Sequence, residues 1–311
     1  MATFQPYAIQ IDGSSLVTAA QRAWSAVEAT SQVIVQGVIV GTVTVLLQHQ
    51  RPVIVVNYEN AVVARLRQIE RSPVGRIVLE AIRATRRALE IVPYSARDRA
   101  QVGTCNAYAT EEDRADAAPA GVQPFRGIDD NPATPGDERY ERATVGLSIL
   151  RHAVIGTGRG SDSAIHYSDD MWLASGCCSA APGGGAGAQP DEVLFHEMLH
   201  SLREMQGKLN AVPTIGTARD YENEEEFFAV VLTNIYMSSK GSMQLRASHQ
   251  GFAPLPAALS TSAGFLSDFH NRRILRDQST QEPGLFTRLQ NVAAPFNPIR
   301  EYMLNKECYR T

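Results

Sequence analysis

The chain has 311 residues, 44% of them hydrophobic, enough to bury the core of one large or two smaller domains and too many for a chain disordered throughout. A formal net charge of −4 and a pI near 6.0 lack the strongly basic stripe of nucleic-acid binders, so no nucleic-acid partner is expected. The N-terminus, MATFQPYAIQIDGSS, has no basic segment followed by an apolar one. A cleaved signal peptide is therefore not expected, and the chain is read as cytoplasmic or exported by a leaderless route as an effector.

A stretch near Leu16 to Ala29 reads as helical. Val33 to Leu47 is the most apolar segment, but Gln36 and two threonines interrupt it and it falls short of the ~20 apolar residues that span a bilayer, so no membrane span is expected. Its β-branched residues, and those of Pro52 to Asn57, predict extended strands. From Ala61 to Leu89 apolar residues recur at helical spacing, Val62, Leu66 and Ile69, then Val74, Ile77, Leu79 and Ile82. Ser72-Pro73 divides them into two helices. Ala88 to Tyr94 reads as a short strand, and Ala107 to Arg142, crowded with Asp, Glu, Pro and Gly, as a long surface loop.

Strand pattern returns over Val145 to Ile155. GTGRGS lacks the Lys-Ser/Thr of a phosphate-binding loop and reads as a turn into a strand from Ser163 to Tyr167. PGGGAGAQP then leads into a helix from about Asp191 to Gln206. Pro190 and Asp191 start it, Glu192 adds negative charge to its first turn, and Gly207 stops it. Leu194, Met198 and Leu202 give it an apolar face. A second helix, Glu222 to about Met237, repeats Phe227, Val231 and Ile235. Beyond a loop from Gly251 to Pro256, Phe265 to Leu275 and Gly284 to Val292 read as shorter helices. The four cysteines, Cys105, Cys177, Cys178 and Cys308, show no C-x-x-C spacing. Free thiols are expected, with a disulfide at Cys177 or Cys178 left open.

The first of the two long helices carries HEMLH. Residues four apart lie one above the other on a helix, so His196 and His200 can offer two imidazole nitrogens to one tetrahedral zinc ion. Glu197, about 100° round the helix from His196, can take the proton of a water that such an ion acidifies and later pass it to the leaving amine. That is the chemistry of H-E-x-x-H. Stacked histidines without a metal are the structural alternative. Zinc needs a third protein ligand. Arg203 and Gln206 stand where a metzincin would have its Gly and third His, which excludes that class. The acidic run Glu222, Asn223, Glu224, Glu225, Glu226 supplies the ligand instead. Glu226 is the choice, because it shares a helical face with Ala229, small enough for close approach to the first helix. Glu225 is the reserve, with a role in orienting a ligand histidine.

The segments PDEVLFHEMLHSLREMQG and NEEEFFAVVL, preceded by GRGSDSAIHYSDDMW and, more weakly, by IERSPVGRIVLEAI, resemble the NleD-like effector zinc metallopeptidases, which are related in their site to the clostridial neurotoxin proteases. The resemblance runs from about Val53 to Leu232. It implies an α+β, zincin-like fold with a small mixed sheet beside the HExxH helix, one zinc per chain, peptide-bond hydrolysis of a protein or peptide substrate, and a role as an effector or toxin. In that family the third ligand precedes the small residue of E-E-x-x-A/T by three, which corresponds to Glu226. Val231 stands where many relatives carry Gly. By the same resemblance, the strand Ser163 to Tyr167 is a sheet edge beside the zinc helix, open to an extended peptide, with His166 as a groove residue. An oxyanion-stabilising residue is expected late in the chain, with Tyr302, Arg300 and Tyr236 as candidates.

The expected organisation is an N-terminal extension over 1–50, a peptidase core over 51–240, and a mainly helical region over 241–311 packed on the core. Two other readings stay open: a zinc-binding protein without peptidase activity, and a metal-free interaction module.

Overall fold

A computed structural model describes residues 8–11, 27–35, 38–47, 52–94, 98–100, 103, 105–111, 138–145, 149–156, 158–173, 176–178, 185–249 and 251–309. The order is mixed α and β. Strands β1 (Ala8–Ile11), β2 (Val27–Val35) and β3 (Val38–Leu47) come first, followed by helices α1 (Pro52–Arg71) and α2 (Pro73–Thr85). Next are β4 (Leu89–Val92), β5 (Tyr108–Glu111), the hairpin of β6 (Glu138–Val145) and β7 (Ile149–Gly156), β8 (Ser163–His166) and the short α3 (Asp169–Trp172). The long helices α4 (Pro190–Gln206) and α5 (Glu224–Ser239) precede α6 (Ser262–Ser267), α7 (Phe269–Gln281), α8 (Pro283–Leu289) and α9 (Pro298–Leu304).

One sheet has the order β1-β2-β3-β4-β8-β5. Its β3-β4 and β4-β8 pairs are parallel and its β5-β8 pair is antiparallel, with Tyr108 opposite His166 and Ala109 opposite Ile165. The strand expected at the edge, β8, is therefore interior, and β5 is the terminal strand among the described residues. The reason is tertiary. Tyr108–Glu111 has only four residues inside a polar stretch, too few to register as a strand until β8 supplies partners for its backbone.

Other expectations are corrected as well. Pro52–Asn57 is the start of α1 and not a strand. Pro suits the first helical position, and extending a helix onto the periodic Val62, Leu66 and Ile69 face costs less than nucleating a new element, which outweighs the β-branched run. The loop expected over Ala107 to Arg142 contains β5 and the start of β6, and 112–137 lie outside the described residues. The strand expected over Val145 to Ile155 is β7, with Val145 ending β6. Of the helix expected at Leu16 to Ala29, Val27–Ala29 open β2 and the rest lies outside the described residues. Among the cysteines, where free thiols were expected, Cys105 and Cys178 form a disulfide, and Cys177 and Cys308 are not disulfide-bonded.

A single apolar cluster holds the helices and the sheet together. Val62, Leu66 and Ile69 of α1, Val74 and Val78 of α2, Ile91, Ile165, and Leu194, Met198 and Leu202 of α4 belong to it, as do Phe265, Ile274, Phe286 and Ile299 from the last part of the chain. Ser72 caps α2 by accepting from Val74 N and Gly75 N, and its hydroxyl also meets Ser239 at the end of α5. Asp268 likewise divides the helix expected at Phe265 to Leu275, capping α7 through the amides of His270 and Asn271. No helix among the described residues is long and apolar enough to cross a membrane.

The joint between α1 and α2 is tight because Gly75 packs on the Ile69 carbonyl, where a Cβ would lie 1.8 Å from the oxygen. Gly75→Ala should cost at least ~2 kcal/mol through backbone displacement, read as a lower urea midpoint with an unchanged slope.

Candidate metal centre

Helix α4 is built to be held rigidly at both ends. Pro190 takes its first position, and Gln189 and Glu192 close a reciprocal capping box, Gln189 N donating to Glu192 Oε2 at 3.3 Å. Asp191 accepts from Tyr236 Oη at 2.6 Å and from Lys240, and Lys240 Nζ also lies 3.1 Å from Glu192. At the other end Gly207 adopts φ 67°, and its amide closes on the Arg203 and Glu204 carbonyls. Every residue from Pro190 to Met205 is buried, so each polar side chain in that run must find its partner inside the protein.

His196 and His200 point their Nε2 atoms at the same place, 3.2 Å apart. Asn223 caps α5 by accepting from Glu226 N at 2.9 Å, which fixes Glu226 in the first turn. Glu226 Oε2 lies 3.3 Å from His196 Nε2 and 3.4 Å from His200 Nε2. Zinc–ligand bonds of about 2.0–2.1 Å at tetrahedral angles separate neighbouring ligand atoms by roughly 3.3 Å. The three atoms thus have the spacing of three corners around one small cation. Among the described residues they form the one group of three or more His, Cys, Asp or Glu side chains arranged to hold an ion.

The electrostatics match that arrangement. Burial works against a charged imidazole, and it takes His196 down to about 3 despite the neighbouring Glu226. At His200 burial acts the same way, but Glu226 and Glu225 outweigh it and hold the ring well above its ordinary value. Burial raises the Glu226 carboxyl, yet His200, His196 and His249 together bring it well below the carboxylate range.

Glu197 sits beside this group, close enough to feel the charges of His200 and Glu226. Burial raises its carboxyl to about 8, against His200, Arg246 and a hydrogen bond from the Ala109 amide. Strand β5 therefore supplies the backbone N–H that the Glu197 carboxylate accepts. Glu225, the reserve ligand, does not join the three atoms. It faces the far side of His200, with Oε1 3.3 Å from Nδ1, and accepts from Arg203 Nε at 3.1 Å and Asn210 N at 3.0 Å. An Nδ1–H donated to Glu225 leaves the Nε2 lone pair free for an ion.

The other sequence candidates go elsewhere. His166 pairs with Asp98 at 3.3 Å and stacks on Tyr108 across β8 and β5. Tyr236 is committed to Asp191 and stacks on Phe195. Arg300 donates to Gln290 O, and Tyr302 packs against Tyr309. Two residues that sequence reasoning missed lie close to the three-atom group. The Arg246 guanidinium feels the charges of Glu226 and Glu197, and burial lowers its pKa against both. The His249 ring lies parallel to that of His196, with Nε2 3.6 Å from Glu226 Oε2 and Nδ1 3.1 Å from Glu222. Both belong to an irregular loop. Asn234 of α5 clamps its start by exchanging hydrogen bonds with the Arg246 backbone at 2.7 and 2.8 Å, and the Arg246 side chain closes it by donating to the Gly251 and His249 carbonyls. Neither periodicity nor motif spacing marks these positions.

A family model described as Peptidase_M91, effector protein, matches residues 55–239, more than half of the chain. The chain belongs to this family. It is a peptidase family of effectors, in agreement with the NleD-like resemblance, and the matched segment begins within α1 and ends with α5. It takes in His196, Glu197, His200 and Glu226 and stops short of Arg246 and His249. No curated protein and no solved structure matches the chain.

A pH dependence follows for the protein stripped of metal. The folded pKa of Glu197 lies above its unfolded value, so its contribution is fully present below the unfolded pKa and is lost as pH rises toward about 8. Glu197→Gln has no such loss. Chelator-treated Glu197→Gln should be more stable than chelator-treated wild type at pH 8, with the gap shrinking toward pH 5, measured by urea denaturation at both values.

Proposed function

We propose that the protein is a zinc-dependent endopeptidase of zincin-like architecture. His196, His200 and Glu226 hold one zinc per chain, and Glu197 is the general base. The observation that carries this reading is the spacing of 3.2 to 3.4 Å among the three ligand atoms, with a buried carboxyl beside them. The peptidase core is 51–240, with 241–311 packed on it and 1–50 as an extension.

Zinc bound there supplies Lewis-acid polarisation of the scissile carbonyl and makes water acidic enough to lose a proton near neutral pH. The rest is the work of this chain's side chains. Glu197 takes the proton from the attacking water and delivers it to the leaving amine, and a carboxyl whose pKa is raised by burial is suited to do both. The Ala109 amide favours the ionised form of the Glu197 carboxyl. Arg246 lies near enough to Glu197 and Glu226 to place a positive charge where the carbonyl oxygen becomes an anion. Strand β5, beside Glu197, is the edge on which an extended peptide substrate pairs. Membership of an effector family supports a role in another cell after delivery.

Elemental mass spectrometry on protein purified without chelator tests the metal. Wild type should carry about one zinc per chain, and His196→Ala and Glu226→Ala clearly less. Glu197→Gln should keep the zinc while its cleavage of a fluorescent casein falls by about 10²–10⁴-fold. Unchanged cleavage by that variant overturns the assignment of the base, and wild type that takes up no added zinc overturns the metal reading itself.

A further inference from the structure

Beyond the matched segment, the chain contributes a buried carboxylate to the support of the metal site. Arg203, three residues after His200 and fully buried, donates from Nε to Glu225 Oε2 at 3.1 Å and from NH1 to Glu282 Oε1 at 3.0 Å. Glu282, which ends α7 and precedes α8, is itself buried, and its other oxygen accepts from Lys208 Nζ at 3.0 Å. Nearby, Gln278 of α7 donates to the Glu224 carbonyl at 2.8 Å, tying the same helix to the start of α5. The Arg203 guanidinium lies over the Phe228 ring at 4.8 Å. Two cations, Arg203 and Lys208, thus face two carboxylates, Glu225 and Glu282, in one line that ends on His200 Nδ1.

We propose that Glu282 is a positioning residue for the metal site, acting through Arg203 and Glu225 on His200, so that the zinc centre is completed by a region outside the family's matched segment. This rests on the zinc reading above. The physical reason is charge balance in a dry interior. With Glu282 present, Arg203 is shared between two carboxylates, and Glu225 keeps an oxygen for the His200 Nδ1–H. Without it, Arg203 has Glu225 as its single counter-charge, which draws that carboxylate away from His200 and makes Nε2 a poorer donor to a cation. An extra positive charge is also left buried close to the ion. Both effects weaken zinc binding.

The experiment compares zinc affinity, by competition with a chromophoric chelator, in full-length wild type, Glu282→Gln, Arg203→Lys and Arg288→Ala, each with its metal-free stability measured in urea. Arg288 pairs with Glu80 and holds α8 on α2 without touching the network, so it reports on loosened packing alone. Glu282→Gln should bind zinc ~10–100-fold more weakly than wild type, and Arg288→Ala within about twofold. In a Glu225→Gln background, Glu282→Gln should add little further loss, because the path to His200 is already cut. Arg203→Lys, which keeps the charge but not the two-sided fork, should also weaken zinc binding and serves if Glu282→Gln fails to fold. Wild-type zinc affinity in Glu282→Gln, an equal loss in Arg288→Ala, or a full additional loss in the Glu225→Gln background each overturns the proposal. Wild type without zinc overturns it together with the metal reading.

Discussion

The constraint from which the rest follows is the burial of α4. A helix that presents two imidazoles and a carboxyl to one small volume while lying inside the core must place its charged residues in a dry environment. Every residue from Pro190 to Met205 is buried, including Asp191, Glu192, Glu197, Arg203 and Glu204. An unpaired charge there would cost several kcal/mol. Four of these five are tied to particular neighbours. Asp191 and Glu192 meet Lys240, Arg203 meets Glu225 and Glu282, and Glu204 accepts from Ser163 Oγ at 2.6 Å. These partners come from β8, α5 and α7, so the pairings that make the burial tolerable also fix how the sheet and the C-terminal helices pack around α4.

The same pairings tune the chemistry. His200 is gripped from two sides, by Glu226 at Nε2 and by Glu225 at Nδ1, whereas the chief polar neighbours of His196 are Glu226 and His200. That difference explains why burial wins at His196 and loses at His200. Glu197 has no cation bound directly to its carboxyl. Burial raises its pKa to about 8, against His200, Arg246 and the Ala109 amide.

Regular elements carry His196, Glu197, His200 and Glu226, and irregular ones carry their surroundings. Gly156 and 158–161 meet the C-terminal end of α4 and the residues after it, with Gly156 N donating to Leu209 O, Gly158 N to Gly207 O and Ser161 N to Glu204 O. Glu222, at the entrance to α5, takes a left-handed backbone with φ 65°, uncommon for a residue with a side chain, and its carboxylate meets His249. The disulfide Cys105–Cys178 ties the approach to β5 to the segment after α3.

Local chemistry was enough to locate α2, α4, α5 and β8, because their signals lie within a few residues: Ser72-Pro73, the Pro190 start, the Gly207 stop, the four-residue repeats, and the glycine-bearing turn GTGRGS ahead of Ser163. It also favoured Glu226 over Glu225, and in the structure both face α4, Glu226 toward the His196 and His200 Nε2 atoms and Glu225 toward His200 Nδ1 and Arg203. Tertiary structure alone decided the rest. Pro52–Asn57 took the conformation of the helix it extends, Tyr108–Glu111 became a strand because β8 offered hydrogen bonds, and Cys105 found Cys178 across the fold. Arg246, His249 and Glu282 reach the site from 46 or more positions beyond His200, through loop closure and buried ion pairs. Interactions of that kind leave no periodicity in the chain, because they depend on where segments meet in space and not on the spacing of residues along it.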